Sequence, residues 1–310
     1  MAGGWADHER ARCDQADCRG PPATSGVTTV NVGQLAGLAC LWEVSASKPG
    51  NVHRAADFDD LTFVDFAASA VAIMPALDAA AAGARLGETV LRAVRATREA
   101  VATNSNLGTV LLMTPLAMAA GESLRKGVSR VLHSLDRDDA RLVYEAIRLA
   151  GPGGMGRVDE ADLRGEPPDD LLLAMRLAAD RDLVARQYAN GFAEIFDVAL
   201  PALGEGLARG WPLGHAIVHA QMRLMSEYPD SLIARKCGPA VARQSGAMAG
   251  AVLATGVPGD VAYENALADL DFWLRSDGHR RNPGTTADLL AASLFAMLLN
   301  GAIKLPVRFY

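Results

Sequence analysis

Residues 267–299 read LADLDFWLRSDGHRRNPGTTADLLAASLFAMLL, two apolar stretches held apart by the break Asn282-Pro283-Gly284. Proline has no N–H to give a helix interior and glycine loses the most conformational freedom there, so the chain must turn at this point. The same punctuation governs the rest of the sequence. Apolar residues recur at helical spacing over 30–47, 63–82, 87–102, 110–120, 136–149, 171–200, 213–226, 244–255 and 259–274, and polar junctions containing glycine or proline divide several of these segments. No segment alternates as a half-buried strand does. Half of the residues are apolar but only 5% are aromatic, a balance that favours close-packed helices over sheets. The expected fold is all-α: a single multi-helix, bundle-like domain over 29–310 whose polar loops form a nucleotide site. Residues 1–28, charged and then rich in Gly, Pro, Ser and Thr, read as a disordered extension.

Several classes of function are disfavoured at once. A net charge of −6 argues against a nucleic-acid partner, which needs a basic face. The Ala-rich run 67–82 is interrupted by Pro75 and Asp78, so no membrane span is expected, and the N-terminus has no apolar leader. The expectation is a cytoplasmic protein, with self-association into a homo-oligomer left open. Four cysteines, Cys13, Cys18, Cys40 and Cys237, lack the paired spacing of a zinc site or a disulfide framework. His215 and His219 share a helix face but have no third ligand nearby, and read as partly buried histidines. The glycines of 151–156 follow no strand and precede no Gly-Lys-Ser/Thr, so they are not a phosphate loop; 152–168 reads as a lid or surface excursion.

The informative residues sit at four junctions. Lys48-Pro49-Gly50-Asn51-Val52-His53 leads into Asp57, Asp59 and Asp60, an acidic group that either complements a helix dipole or holds Mg²⁺. Residues 103–109, with Asn104 and Asn106 before a buried-looking helix, carry more polar groups than a cap can use. Residues 227–238 place Asp230 and Ser231 at a short helix start and Arg235 and Lys236 at its end. In 275–288, Thr285 or Thr286 is placed to cap the last helix, with Arg280 and Arg281 beside its positive end: an anion site, or an ordinary cap. If these junctions gather at one end of the bundle, they suit a nucleotide with Mg²⁺ better than an apolar ligand.

These blocks, together with Tyr228-Pro229-Asp230-Ser231-Leu232, Leu270-Asp271 and Arg281-Asn282-Pro283-Gly284-Thr285-Thr286-Ala287-Asp288-Leu289, resemble the triphosphoribosyl-dephospho-CoA synthase family over about 33–305. The resemblance implies an all-α transferase that uses ATP and Mg²⁺. Adenine leaves, and the triphosphoribosyl unit passes to a hydroxyl of dephospho-CoA. By position it implies Asp57, Asp59 and Asp230 for metal or transition-state charge, with Asp271 as a further catalytic carboxylate. Lys48, Asn104, Asn106, Arg281, Thr285 and Thr286 would contact the triphosphate, with Asn51, His53 and Asn282 among the cofactor-binding residues.

Two departures stand out. Family members acting for citrate lyase resemble Asn-Thr-His-Lys-Gly where this chain has Asn104-Ser105-Asn106-Leu107-Gly108, and their Gly-Ala-His-x-Asp-Met segment is replaced by Ala55-Ala56-Asp57-Phe58-Asp59. The chain is closer to a divergent branch, similar to proteins of some archaea and of bacteria with methanopterin-linked metabolism. Related ribosyl or phosphoribosyl transfer in another cofactor pathway, and a non-catalytic nucleotide-binding role, are the alternatives.

Overall fold

Several helix starts along the chain are fixed by side chains that satisfy the first free N–H groups. Asn31, Thr62 and Asp136 each accept from the third residue of their helix, while Gln34, Asp65 and Asp139 reach back to the cap backbone. In the computed structural model, which describes residues 30–151 and 165–310, the helices run α1 (Val32–Ser45), α2 (Phe63–Ala81), α3 (Leu86–Ala100), α4 (Leu107–Met118), α5 (Leu124–His133), α6 (Arg137–Ala150) and α7 (Leu171–Ala178). They continue as α8 (Leu183–Asn190), α9 (Leu200–Ala208), α10 (Leu213–Glu227), α11 (Ser231–Cys237), α12 (Pro239–Ala254), α13 (Val261–Arg275) and α14 (Gly284–Leu299). A π-helical turn, Ile195–Ala199, feeds α9, and Ser276–His279 is a short extended segment. The N-terminal extension, Cys13, Cys18 and most of the expected lid at 152–168 lie outside the described residues.

Two helices, α4 and α14, are apolar around nearly their whole circumference and form the buried axis of the fold. Helix α14 touches α1, α4, α8, α9, α10 and α11, so its first turn lies where several junctions can meet. The main core gathers around these two helices, and Met222, Met225, Ile233, Tyr263 and Leu274 form a second cluster between α10, α11, α12 and α13.

Two expectations are corrected, over 171–200 and at the start of α14. The 171–200 segment is not one helix: Asp182 caps α8, Gly191 ends it at φ 71°, and Pro201 stands in the first turn of α9, where its missing N–H costs little. Neither Thr285 nor Thr286 caps α14, because the helix already begins at Gly284. Helix α2, at 19 residues, is by length and composition apolar enough to cross a membrane. Here Pro75 is accommodated inside it, it packs along α1, α3 and α4, and Asp78 accepts the Gly33 N–H at 2.6 Å.

Candidate active site

Two of the junctions are stitched together by a few short hydrogen bonds. The Gly50 N–H donates to Asp271 Oδ1 at 2.7 Å, and Arg275 Nε donates to the same oxygen at 2.8 Å. Gly50 has φ 73°, and a Cβ there would lie 2.8 Å from Leu274, so only glycine lets 48–52 seat against α13. Asn51 Nδ2 donates to Asn282 Oδ1 at 2.6 Å, while buried Gln221 donates to Asn51 Oδ1 and to the Pro49 carbonyl at 3.0 Å. A second knot ties α11 to α14. Asp230 Oδ1 accepts the N–H groups of Leu232 and Ile233 at 2.8 and 3.0 Å, and its Oδ2 accepts the N–H and hydroxyl of Thr286 at 2.7 and 2.9 Å. Ser231 Oγ donates to Thr285 Oγ1 at 3.0 Å and accepts the Leu183 N–H at 3.1 Å.

Between these knots lies a cavity of about 930 Å³, walled by α1, α4, α8, α11 and α14 and by the 102–109 junction. Its floor is apolar, with Leu111, Ala174 and Met175 among its residues. Arg98, Arg181, Arg235 and Lys236 bring positive charge to its wall. Two buried donors that line it, Asn106 Nδ2 and Arg235 Nε, have no hydrogen-bond partner. Buried unpaired donors cost free energy in the empty protein, and their presence in a cavity wall marks a place for a polar ligand.

Four carboxylates line the same cavity: Glu43, Asp60, Asp182 and Asp288. Glu43 Oε1 lies 2.9 Å from the fully buried Lys48 Nζ, which also donates to the Glu43 carbonyl at 2.7 Å; burial pushes Glu43 up and the lysine opposes it. Asp60 pairs with His279 at 3.3 Å, and Asp182 pairs with Arg235 while capping α8. Asp288 has no such cationic partner among the described residues. Its Oδ1 accepts the Thr109 hydroxyl at 2.7 Å, and its Oδ2 lies so close to Gly108 that a Cβ there would be 2.2 Å away. Burial holds its pKa at about 7, against the pull of the Thr109 hydrogen bonds. Lys236 is half-buried, and that burial lowers its pKa.

Of the residues to which the family resemblance gives catalytic, metal or binding roles, Asn51, Asn104, Asn106, Asn282 and Thr285 line the cavity. The others stand apart from it. Lys48 is locked to Glu43, and Asp271 to Gly50 and Arg275. Asp230 is wholly buried with both oxygens occupied, burial pushes its pKa up, and Thr286 is its partner. Asp57 is exposed and accepts the Phe63 N–H at 2.6 Å, and Asp59 is exposed. His53 is held neutral, burial pushing its pKa down to about 4. Arg281 donates to the Trp273 carbonyl at 2.9 Å with its guanidinium over that ring.

The metal set Asp57, Asp59 and Asp230 does not converge, since two are at the exposed loop and the third has no lone pair left to offer. Among the described residues no three His, Cys, Asp or Glu side chains gather to hold a metal ion. Asp288 and Arg235 were visible in the sequence, the first as part of the family-like block 281–289 and the second as a helix-end cation, and neither was given a role in the site. Glu43, inside an apolar helix before Lys48-Pro49-Gly50, offered the clearest unused signal: a carboxylate in an apolar stretch needs a reason.

Comparisons with known proteins bear on what this cavity does. A family profile described as ATP:dephospho-CoA triphosphoribosyl transferase matches residues 29–306. A protein of Azotobacter vinelandii assigned as a 2-(5''-triphosphoribosyl)-3'-dephosphocoenzyme-A synthase is 27% identical over 245 residues, 77% of this chain and 80% of its own. One of Stutzerimonas stutzeri with the same assignment is 28% identical over 271 residues, 85% of this chain and 89% of its own. A crystal structure from Archaeoglobus fulgidus, assigned as a triphosphoribosyl-dephospho-CoA synthase, superposes with a TM-score of 0.60 at 28% identity and covers 76% of this chain and 98% of that one.

Proposed function

The chain belongs to the ATP:dephospho-CoA triphosphoribosyl transferase family, and we propose that its cavity is where ATP gives up adenine and passes its triphosphoribosyl unit to a ribose hydroxyl of 3'-dephospho-CoA. It is an enzyme of the transferase class. One observation carries the assignment of the site: unpaired buried donors, four cationic side chains and one carboxylate without an ion-pair partner among the described residues all line a single cavity. Its volume of about 930 Å³ lies at the upper end of the roughly 300–1,000 Å³ usual for small-molecule pockets, which suits a site that must hold a donor and an acceptor together.

The chemistry sets distinct demands on the two sides. The triphosphate is polyanionic, and Arg98, Arg181, Arg235 and Lys236 meet it with charge-assisted hydrogen bonds, helped by the start of α4 beyond Asn106. As the glycosidic bond breaks, the ribosyl carbon becomes cation-like, and buried acidic side chains in the cavity wall, Glu43 among them, stabilise that charge in a medium of low dielectric. Magnesium accompanying the nucleotide would supply neutralisation of the phosphate charge. Asp60 and Asp182, which line the cavity together with Lys236 and Arg235, are the carboxylates that would hold it. The reading is of a cytoplasmic biosynthetic enzyme with small-molecule partners and no nucleic acid.

Purified protein incubated with ATP, Mg²⁺ and dephospho-CoA is expected to release adenine in step with formation of the CoA adduct, followed by chromatography. Tight ATP binding with every glycosidic bond left intact would instead make the protein a nucleotide binder. Adenine release that requires a different acceptor would move the same chemistry to another cofactor.

A further inference from the structure

Resting on that reaction, we infer that Asp288 is its proton-transfer catalyst, giving a proton to the departing adenine and taking one back from the acceptor hydroxyl, with Thr109 as the residue that positions it.

The cavity carboxylates differ in one respect that decides between them. Glu43 is committed to Lys48, Asp60 to His279, and Asp182 to Arg235 and the α8 cap. A carboxylate whose oxygens are tied up by a neighbouring side chain or a helix cap has less of its acceptor capacity free to meet a substrate. Asp288 is held only by the hydroxyl and backbone of Thr109, and no basic side chain is among the groups that act on it. It retains an accessible face and lines the cavity. Gly108 supports the same conclusion, since any side chain there would collide with Asp288 Oδ2. A helix start kept bare to admit a carboxylate is a built arrangement, and Thr109 fixes the rotamer from the next residue.

The proton balance closes on this one group. When the bond between the ribosyl carbon and the purine nitrogen breaks, its electron pair leaves on the purine, and the Asp288 carboxylic acid supplies the proton that makes neutral adenine. The acceptor oxygen then bonds to the ribosyl carbon, and its proton passes to the Asp288 carboxylate. The acid is restored, and no further acid, base or oxidant is consumed. A pKa of about 7 leaves both forms accessible near neutral pH, the condition such a shuttle needs. The charged groups around it act in the same sense. Glu43 of α1, itself paired with Lys48, and Asp230 at the α11 cap both act on it through their negative charge and raise its pKa. Cys40, also on α1, is itself kept protonated by burial. Helix α4 offers only Thr109; Arg186 of α8, Asp197 of the π turn and Glu205 of α9 are paired with Glu194, Arg125 and Arg209. On α10, His219 sits against Tyr263 and Trp211, and Arg223 pairs with Glu227.

The test compares Asp288→Asn, Thr109→Val and Thr109→Ser with the unaltered chain, reading adenine release against pH and ATP binding by calorimetry. Asp288→Asn is expected to lower kcat by about a hundredfold or more while ATP affinity stays within about threefold. The rate of the unaltered enzyme should fall as pH rises past the Asp288 pKa, because the acid form starts the cycle. Thr109→Val removes a hydrogen bond that favours the ionised form, so that limb should move to higher pH, and Thr109→Ser should return it. Adenine release by the unaltered enzyme, with Asp288→Asn nearly as fast and its pH profile unchanged, overturns the role of Asp288 alone. No adenine release by the unaltered enzyme removes the reaction itself.

Discussion

Asp230 and Asp288 flank the same helix start, and burial raises the pKa of both, yet their surroundings are opposite. Asp230 receives four hydrogen bonds, two from α11 and two from Thr286, and it does not line the cavity. Asp288 is held from one side by Thr109 and faces the cavity. The difference separates what the two do. A carboxylate whose lone pairs are all spoken for joins pieces of chain, whereas one left partly unsatisfied has capacity to spend on a substrate. The same division sorts the cationic residues: Lys48 is consumed by Glu43, while Arg235 keeps an unpaired Nε toward the cavity.

The comparison breaks first on stability. Asp230→Ala strips four donors of their acceptor at once and is expected to cost about 3–5 kcal/mol, given ~1 kcal/mol or more for each buried group left unpaired. Thermal or denaturant unfolding reads it directly. If Asp230→Ala folds as well as the unaltered chain but cannot release adenine, then Asp230 belongs with the chemistry and the contrast with Asp288 is wrong.

A second substitution probes the other side of the contrast. In Gly108→Ala the new Cβ must displace the Asp288 carboxylate, since it would otherwise lie 2.2 Å from Oδ2. Displacement by about an ångström typically costs on the order of 10²-fold in rate. The expected outcome is a kcat loss of that size with a nearly unchanged KM for ATP, measured by steady-state adenine release. Should kcat survive, the carboxylate is not held to a working position.

The pH dependence of stability sharpens the pair further. In the folded state Asp288 keeps its proton up to about pH 7, well above the usual carboxylate value of 3.8. Folding is therefore favoured while the group is protonated, and that contribution is lost as pH rises from about 4 through about 7. An amide in its place has no such proton to lose, so Asp288→Asn should match the unaltered chain at pH 4 and exceed it at pH 8. A gain of about 1–2 kcal/mol is the scale usual when a strained functional group is relieved. A variant less stable at pH 8 would mean that Asp288 is a structural partner after all, as Asp230 is.

Most of the fold was legible from periodicity, because a long helix announces itself through spacing and its end through Gly, Pro or a capping side chain, whereas the ten-residue α5, with no side-chain cap, went unseen. Even the miss over 171–200 had its signals in Asp182 before α8 and Asn190-Gly191 after it. The convergence of junctions was also legible, in that Asn51, 104–106, Asn282 and Thr285 all reach one cavity. What the chain order hides is direction. Asp230, Asp271 and Asp288 each look like an acid near a helix end. Only packing decides that the first faces Thr286, the second Gly50 and the third open space. A polar residue at a junction is equally apt as mortar or as tool, and local sequence carries no record of which lone pairs remain free.

The smallest effect is expected at the cationic side, and it tests whether the cavity divides its labour. Lys236 is half-buried on the cavity wall, burial lowers its pKa, and it makes no ion pair among the described residues. An ammonium kept partly dry without a partner suits a phosphate that arrives with the substrate. Its contact is with a group that does not react, so it should strengthen ground state and transition state equally. Lys236→Ala is then expected to raise the KM for ATP by about tenfold while kcat and unfolding midpoint hold, the signature of uniform binding. Because the loss is electrostatic, it should also flatten the dependence of ATP affinity on salt. If kcat falls and KM does not, the lysine meets charge that appears only as adenine departs, and the line between a gripping side and a reacting side has to be redrawn through Lys236.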